Sequence, residues 1–411
     1  MTAPPAVAAA PAWVPYLFTV PNEILLEVTD YLDNRQLSCF IQASRHLCKP
    51  LERVLYKRSA KSTNAALVWA LDQMHVEVAR KALEHGANPD HHVQGRGYPL
   101  QRVLDSKGHW EILNALLEKG ANPNLFSSPG NPPLYSAVMS GLERETNLLL
   151  AYGADPNCES AGRPVLSLTY PMYPMAKFLR VHRALLKNGA DPNGQDNDGL
   201  TALHRAASNS KLAPFVHLLL EYKADVTIQA KDGTTCFVKA LKARDRSLMK
   251  RFLKADASLI NAAGAKGTTP LHYAASRGMD SEVDFLIQKE ANINAVNDFG
   301  ETAAHQALKM NKFETAKKLV VAGIDLDIPN RSHETVFLLC MKQLVITERR
   351  TYLDLIQFML ENNQDPETCA VFRGVSPWDY DRGQAARILA RKGLSGARIC
   401  ELLLSMKYPR L

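Results

Sequence analysis

The chain has 411 residues, of which 46% are hydrophobic and 22% are charged, and its formal net charge at pH 7 is +7. This length suffices for two or more domains, and the composition is ordinary for a globular protein. The positive charge is not gathered into a dense basic tract, so it does not indicate a nucleic-acid partner. No run of about 18 apolar residues occurs, so the sequence predicts no transmembrane helix and no membrane partner.

Residues 1–17 are predicted to be a disordered leader. They are apolar, but they lack the basic region of a signal peptide, and prolines interrupt them before a hydrophobic segment of sufficient length can form. The seven cysteines are scattered along the chain and form no CxxC pair. Dispersed cysteines are typical of a reducing compartment, which favours the cytoplasm, the nucleus or both.

Residues 18–58 are predicted to form three short helices. Pro21 precedes a helical spacing of apolar residues that begins at Ile24, and Pro50 opens the third helix. A segment of about 40 residues is only marginally stable alone. Its apolar face is therefore expected to contact either a partner protein or the part of the chain that follows it.

The order Val20-Pro21-Asn22-Glu23-Ile24-Leu25 and the apolar positions after it resemble an F-box. The segment departs from that family at Val20, where F-boxes usually carry Leu, and at Leu47, where many carry Trp. The resemblance implies docking of a Skp-type adaptor, which links to a cullin–RING ubiquitin ligase. The matching positions are Pro21, Ile24, Leu25, Val28, Leu32, Leu37 and Phe40. The alternative is a plain helical cap for the segment that follows.

A five-residue phrase then recurs, at Gly86–Asp90, Gly120–Asn124, Gly153–Asn157 and Gly189–Asn193, with spacings of 34, 33 and 36 residues. A second phrase recurs in register with the first, and its copies are Thr201–His204, Thr269–His272, Thr302–His305 and Thr335–Leu338. Thr suits the start of a short helix, and Gly suits a left-handed cap at the end of one. The sequence therefore predicts a repeated unit of two helices and a turn.

These two phrases resemble the ankyrin repeat, from about residue 61 to the C-terminus. The resemblance implies an all-α solenoid, with a helix-turn-helix and a hairpin in each repeat, preceded by the small F-box-like unit. About nine repeats are predicted over residues 61–375, and a degenerate repeat over residues 376–411 is predicted to cap the C-terminus. An F-box followed by ankyrin repeats resembles an arrangement found in filamentous fungi.

Two repeats are predicted to be irregular. In the fourth, Pro171 and Pro174 are expected to interrupt the first helix, and in the ninth, residues 343–354 are expected to lengthen the turn between the helices. These irregularities are either tolerated drift of a loop or local features that shape a binding groove.

The resemblance implies a groove formed by the residue after each Thr-Pro-Leu-His phrase and by the hairpin tips. The predicted client-binding residues are Arg102, Arg205, Lys231, Lys239, Lys266, Tyr273 and Phe299. Most of them are basic, and Arg and Lys pair well with carboxylate and phosphate. The client is therefore expected to be acidic or phosphorylated, and the alternative is a solvated charged face.

A structural role explains the candidate catalytic and metal-binding histidines better than catalysis or metal binding does. His204, His272 and His305 recur in successive or alternate repeats rather than converging on one atom, and each is expected to bond its own turn. His91 and His92 are adjacent and have no partner at a metal-ligand spacing. No phosphate-binding, nucleophile-elbow or HExxH motif occurs. The sequence thus predicts no enzyme, no cofactor and no metal.

Two functions are consistent with this organisation. The first is a substrate receptor of an SCF-type cullin–RING ubiquitin ligase, in which residues 18–58 dock the Skp-type adaptor and the repeats bind an unidentified client. The second is a ligase-independent scaffold or regulator, in which the N-terminal helices only cap the repeats.

Overall fold

The computed structural model of the chain describes residues 56–57, 60, 64–93, 97–106, 109–126, 130–169, 174–347 and 350–362. The predicted leader, nearly all of the predicted F-box-like unit and the predicted cap over residues 376–411 lie outside these ranges. The adaptor-binding positions from Pro21 to Phe40 therefore stay predictions. The described chain divides into two compact units between Gly194 and Gln195.

The first unit is built from consecutive helix pairs and one short hairpin. Its elements are α1 (Ala65–Gln73), α2 (Val76–Glu84), α3 (Pro99–Asp105), α4 (Trp110–Glu118), α5 (Pro133–Met139), α6 (Glu143–Ala151), β1 (Glu159–Ser160), β2 (Arg163–Pro164) and α7 (Met175–Lys187). The first helix of each pair (α1, α3 and α5) packs against the first helix of the next pair, which forms one row. The helices α2, α4, α6 and α7 pack in a second row. Strands β1 and β2 are antiparallel, with Glu159 opposite Pro164.

The second unit repeats the same pairing without strands of its own in the described residues. Its α-helices are α8 (Ala202–Ala207), α9 (Ala213–Glu221), α10 (Cys236–Lys242), α11 (Arg246–Ala255), α12 (Pro270–Arg277), α13 (Asp280–Gln288), α14 (Ala303–Lys309), α15 (Phe313–Val321), α16 (Val336–Thr347) and α17 (Arg350–Asn362). The first helices α8, α10, α12, α14 and α16 stack in sequence order. A 3-10 turn at Ala257–Asn261 packs against both α11 and α12.

Apolar residues of both helices of a pair form a shared core. Phe237 of α10 and Leu271 of α12 are almost completely buried, as are Phe215 of α9 and Phe252 of α11. Burying one such side chain contributes about 1.5–3 kcal/mol. Because each pair buries its apolar side chains with the help of its neighbours, the stability of a unit depends on stacking rather than on any single pair.

The Thr-His phrase fixes the start of a first helix and joins it to the next repeat. The Oγ1 atom of Thr201 caps α8, and the Nδ1 atom of His204 accepts the amide of Thr201 at 3.3 Å. Nδ1 thus carries no proton, and Nε2 donates to the carbonyl oxygen of Thr234 in the next repeat at 3.0 Å. His272 and His305 make the same two kinds of contact. The prediction that these histidines bond their own turns is confirmed, and each also binds its neighbour.

The Gly-Ala-Asn/Asp-Pro-Asn phrase forms a second ladder between repeats. In the first unit, Oδ1 of Asn124 accepts the amide of Asp155 at 2.9 Å, and Oδ1 of Asn157 accepts the amide of Asp191 at 2.7 Å. The Nδ2 group of Asn157 also donates to the carbonyl oxygen of Gly189 at 3.2 Å. The last residue of the phrase therefore serves as a connector between turns, which explains why the phrase recurs.

Both irregular repeats differ from the regular pattern, though one prediction was wrong. In the fourth repeat, a 3-10 turn at Val165–Ser167 occupies the place of a first helix, and α7 begins directly after Pro174; Pro171 lies outside the described residues. In the ninth, residues 343–347 do not lengthen the turn. They extend α16 to Thr347, because the run Gln343–Thr347 contains neither Pro nor Gly to end a helix.

Candidate functional site

The candidate site of the second unit is the set of exposed or half-buried side chains on its first helices, here called the first-helix surface. Each first helix follows a threonine: Thr201, Thr235, Thr269, Thr302 or Thr335. Four positions after it stand Arg205, Lys239, Tyr273, Gln306 and Leu339, and seven positions after it stand Ser208, Lys242, Ser276, Lys309 and Lys342. Leu339 is buried and does not contribute to the surface.

Arg205 is predicted to bind a client, but its charge is compensated within its own repeat. Its Nε atom donates to Oδ2 of Asp196 at 2.9 Å, and its Nη2 atom contacts the same oxygen. Burial opposes ionisation of Asp196, but hydrogen bonds from Arg205 and from the amide of Leu200 outweigh it, so the pKa of Asp196 lies below its usual value. Arg205 therefore orders the hairpin that precedes α8.

Two further cations of the first-helix surface are paired in the same way. Lys309 binds the buried Glu301, and Lys342 lies 2.7 Å from Oε1 of Glu334. In both repeats the glutamate stands directly before the capping threonine, and the lysine stands seven positions after it. This spacing brings the carboxylate of the turn to the end of the first helix.

A cluster of cations surrounds Tyr273 in the middle of the surface. The Nζ atom of Lys242 lies 5.0 Å from the centre of the Tyr273 ring, and the Cζ atom of Arg277 lies 5.8 Å from it. These distances permit cation–π attraction to one ring. Lys239, on α10 with Lys242, is half-buried. Burial, followed by the charge of Lys242, lowers the pKa of Lys239 below its usual value.

The carboxylates that pair with cations in neighbouring repeats are missing at this cluster. The position directly before the capping threonine is Thr234 in the repeat of Lys242 and Thr268 in the repeat of Arg277. No ion pair of Lys242 or Arg277 with an acidic side chain occurs among the described residues. The cluster is thus a positively charged, partly aromatic patch that an anion can neutralise.

The predicted residues at the hairpin tips form a second, smaller feature. The side chains of Lys231 and Lys266 are exposed, and Phe299 is 47% exposed. The Nζ atom of Lys266 lies 5.9 Å from the centre of the Phe299 ring. The backbone places these tips in register, because the amide of Lys231 donates to the carbonyl of Asp198, and that of Asp298 donates to the carbonyl of Lys266.

Close contact between backbones fixes the spacing of these tips. Gly233 adopts a φ of 71°, and a Cβ atom built there would lie 2.2 Å from the backbone nitrogen of Ala265. Only glycine fits at this point. The hairpin that carries Lys231 is therefore held directly against the next turn.

Arg102, the remaining predicted client-binding residue, lies in the first unit. Its guanidinium pairs with Asp72, and its side chain is 12% exposed. Like Arg205, it joins neighbouring segments of its own unit through an ion pair. Ser136 and Ser167, which follow the phrase in other repeats, are also buried.

The client-binding residues predicted from the sequence include neither Arg277 nor Lys242. Both stand later in the first helix than the position on which the prediction relied. The signal was present in the spacing: Glu301 with Lys309 and Glu334 with Lys342 form a pattern that Lys242 breaks. A comparison of the repeats at these two positions would have found it.

The described residues contain no group of three or more His, Cys, Asp or Glu side chains that is arranged to hold a metal ion. His91 and His92 follow Asp90, whose carboxylate accepts the amide of Asn122 at 3.0 Å, and the ring of His92 lies 4.9 Å from that of Tyr98. None of the described helices has both the length and the apolar character needed to cross a membrane.

A family model described as ankyrin repeats in three copies matches residues 174–257 and 236–330. Residues 174–330 of the chain contain ankyrin repeats. Neurogenic locus notch homolog protein 1 of Mus musculus is 35% identical over 143 residues, which are 35% of this chain and 6% of that protein. Transient receptor potential cation channel subfamily A member 1 of Homo sapiens is 30% identical over 230 residues, which are 55% of this chain and 20% of that protein.

The chain therefore spans a small part of the length of these relatives. Among solved structures, the ankyrin repeat domain of Bcl-3 is 24% identical, and the match covers 56% of this chain and 99% of that domain with a TM-score of 0.47. The comparisons indicate no catalytic family. These matches concern the ankyrin repeats, and the resemblance of residues 18–58 to an F-box stays a prediction.

Proposed function

We propose that this chain is a non-enzymatic scaffold whose first-helix surface binds an acidic segment of a client protein. The observation that carries the proposal is the pair of cations at Tyr273, Lys242 and Arg277, with Lys239 on the same helix as Lys242. In these two repeats a threonine stands where the following two repeats have a glutamate. Lys239 is half-buried, whereas Lys242 and Arg277 are exposed beside the ring. All three cations can form charge-assisted hydrogen bonds to a carboxylate or a phosphate. Lys266 and Phe299 extend the surface along the hairpin tips.

The finer proposal is that the scaffold is a substrate receptor of an SCF-type ubiquitin ligase. Its support is the sequence of residues 18–58, in which Pro21, Ile24 and Leu25 occupy F-box positions. The Skp-type adaptor would dock there, and the client would bind the repeats. A ligase-independent scaffold in the cytoplasm or the nucleus is the alternative, in which residues 18–58 only cap the first repeat.

Co-purification of the full chain followed by mass spectrometry distinguishes the ligase receptor from the ligase-independent scaffold. Adaptor and cullin in the eluate, lost in Leu25→Asp while the repeats stay folded, support the ligase proposal. Failure of the wild-type chain to retain any Skp-type adaptor from cells that express one contradicts it.

The client-binding proposal has its own variants. Lys239→Glu combined with Lys242→Glu should remove client proteins that the wild-type chain retains. The matched control is Lys211→Glu combined with Lys254→Glu, which makes the same change of net charge at exposed positions away from the cluster. Equal client recovery from both double variants contradicts the proposal.

A further inference from the structure

We propose that Lys242 and Arg277, which lie at Tyr273, form together with Lys239 a subsite for one phosphorylated side chain of a client protein. The inference rests on the proposed function and deepens it, because it assigns the chemical class of the recognised residue. It concerns α10 and α12, which contact each other directly in the second unit.

The repeat of Lys242 lacks the carboxylate that compensates the corresponding lysine in later repeats. Where a lysine stands seven positions after the capping threonine, Lys309 and Lys342 each bind the glutamate directly before that threonine. Lys242 occupies the same position, but Thr234 stands where the glutamate would be. Two other repeats thus place a neutralising carboxylate at this position, and the repeat of Lys242 has an uncharged threonine there.

Two positive charges from different helices are concentrated at one aromatic ring. Lys242 belongs to α10, whereas Arg277 and Tyr273 belong to α12, and the stacking of the two helices brings both cations to within 6 Å of the ring centre. Gathering like charges is unfavourable unless an anion accompanies them. Both side chains are exposed, so their N–H groups are accessible to an anion.

The three cations retain a positive charge that nearby carboxylates do not balance. Asp232 is the acidic side chain that acts electrostatically on both Lys239 and Lys242, and Asp196 is already engaged by Arg205. Lys239, Lys242 and Arg277 together therefore exceed Asp232 by about two positive charges. A phosphomonoester carries about −1.5 to −2 charge at neutral pH and has three acceptor oxygens, whereas a carboxylate carries one charge and two oxygens. The cluster matches the former in charge, and its lysine and arginine donors suffice for three acceptor oxygens.

The experiment titrates the ¹⁵N-labelled full chain with N-acetyl-phosphoserine amide, N-acetyl-glutamate amide and N-acetyl-serine amide at equal ionic strength, and follows the backbone amide signals of α10 and α12. The phosphorylated probe should bind at least about tenfold more tightly than the glutamate probe, since it forms more charge-assisted hydrogen bonds. Equal affinities for these two probes overturn the proposal.

Variants locate the binding and separate it from the proposed function. Lys242→Gln and Arg277→Gln should each weaken the phosphorylated probe about tenfold, Tyr273→Phe should keep its affinity, and the control Lys211→Gln should leave it unchanged. No weakening in Lys242→Gln overturns the subsite. Capture of the client from a cell lysate, with and without phosphatase treatment, separates the phosphate inference from the acidic-client proposal. Capture that depends on Lys242 but survives phosphatase overturns the phosphate inference and leaves the acidic-client proposal standing. Capture that is lost on treatment supports both proposals.

Discussion

The Nε2 atom of His272 lies 2.7 Å from the carbonyl oxygen of Glu301, so one imidazole joins two repeats. The other ring nitrogen, Nδ1, accepts the amide of Thr269 at 3.3 Å and contacts its hydroxyl oxygen at 2.8 Å. This arrangement places the proton on Nε2 and makes the neutral ring the form that fits. Both ring nitrogens are occupied by main-chain partners or by the capping threonine, so the residue is structural.

Replacing His272 with alanine should destabilise the second unit by about 2 kcal/mol, because a buried carbonyl oxygen loses its donor and a cavity is left. The midpoint of urea unfolding, followed by circular dichroism, measures the effect. His217→Ala on α9 is the control, since His217 is exposed. A loss of stability no greater than that of the control would show that the bridge between repeats contributes nothing.

Acidification should destabilise the fold because buried histidines resist protonation. Burial lowers the pKa of His204, His272 and His305, and it lowers the pKa of His182 to about 4. The unfolded chain gains a proton on each ring near pH 6.5, whereas the folded chain does so only at lower pH. The stability that is present above pH 6.5 is therefore lost as the pH falls from the unfolded pKa to the folded pKa. For His182 this loss takes place between about pH 6.5 and about pH 4.

Urea unfolding at pH 7.5 and pH 5.5 measures this dependence, and each histidine should contribute up to about 1.4 kcal/mol over that interval. His272→Gln should reduce the difference between the two pH values. The same difference in wild type and variant would mean that other groups dominate the titration.

The repeat architecture follows from short-range chemistry, which explains how much of it the sequence predicts. The Thr-His turn and the Asn ladder use residues three apart or one repeat apart, so their register is visible in the sequence. The compensation of Arg205 by Asp196 was not predicted, because it depends on how a hairpin folds back over the helix that follows. The same reason hid the importance of Lys242, whose role depends on Thr234 and on Tyr273 of another repeat.

Asn157→Ala should weaken the contact between the turns of the first unit. The substitution removes the acceptor of the Asp191 amide and the donor to the Gly189 carbonyl, and because Asn157 is exposed, water replaces part of the loss. The expected cost is about 1 kcal/mol in thermal or urea unfolding. Asn157→Asp keeps the acceptor, as Asp90 does for Asn122, and should cost less. Equal costs for both variants would contradict a connecting role of Oδ1.

Glu290→Gly should stabilise the second unit. Glu290 stands where other repeats have glycine after the second helix, and it adopts the same left-handed backbone with a φ of 60°. A residue with a Cβ atom is disfavoured there by about 1 kcal/mol relative to glycine. The reverse change, Gly153→Ala in the first unit, should destabilise by a similar amount, since a Cβ atom at Gly153 meets no other atom within 4 Å and only backbone conformation is tested.

Glu290→Ala separates the backbone from the side chain in this pair of experiments. It removes the carboxylate but retains the Cβ atom, so it should leave the urea midpoint near that of wild type. A gain in Glu290→Ala as large as that in Glu290→Gly would assign the effect to the charge of the side chain instead.

The described cysteines should be unreactive in the folded chain. Burial raises the pKa of Cys158 and of Cys236 to about 12, and it raises the pKa of Cys340 as well. The Sγ atom of Cys236 also lies 3.2 Å from the carbonyl oxygen of Val226. Because alkylation requires an accessible thiolate, iodoacetamide at pH 8 should modify these three residues more than about a hundredfold more slowly in buffer than in urea. Peptide mass spectrometry resolves each site, and rapid native labelling of Cys236 would contradict the tight packing between its hairpin and α10.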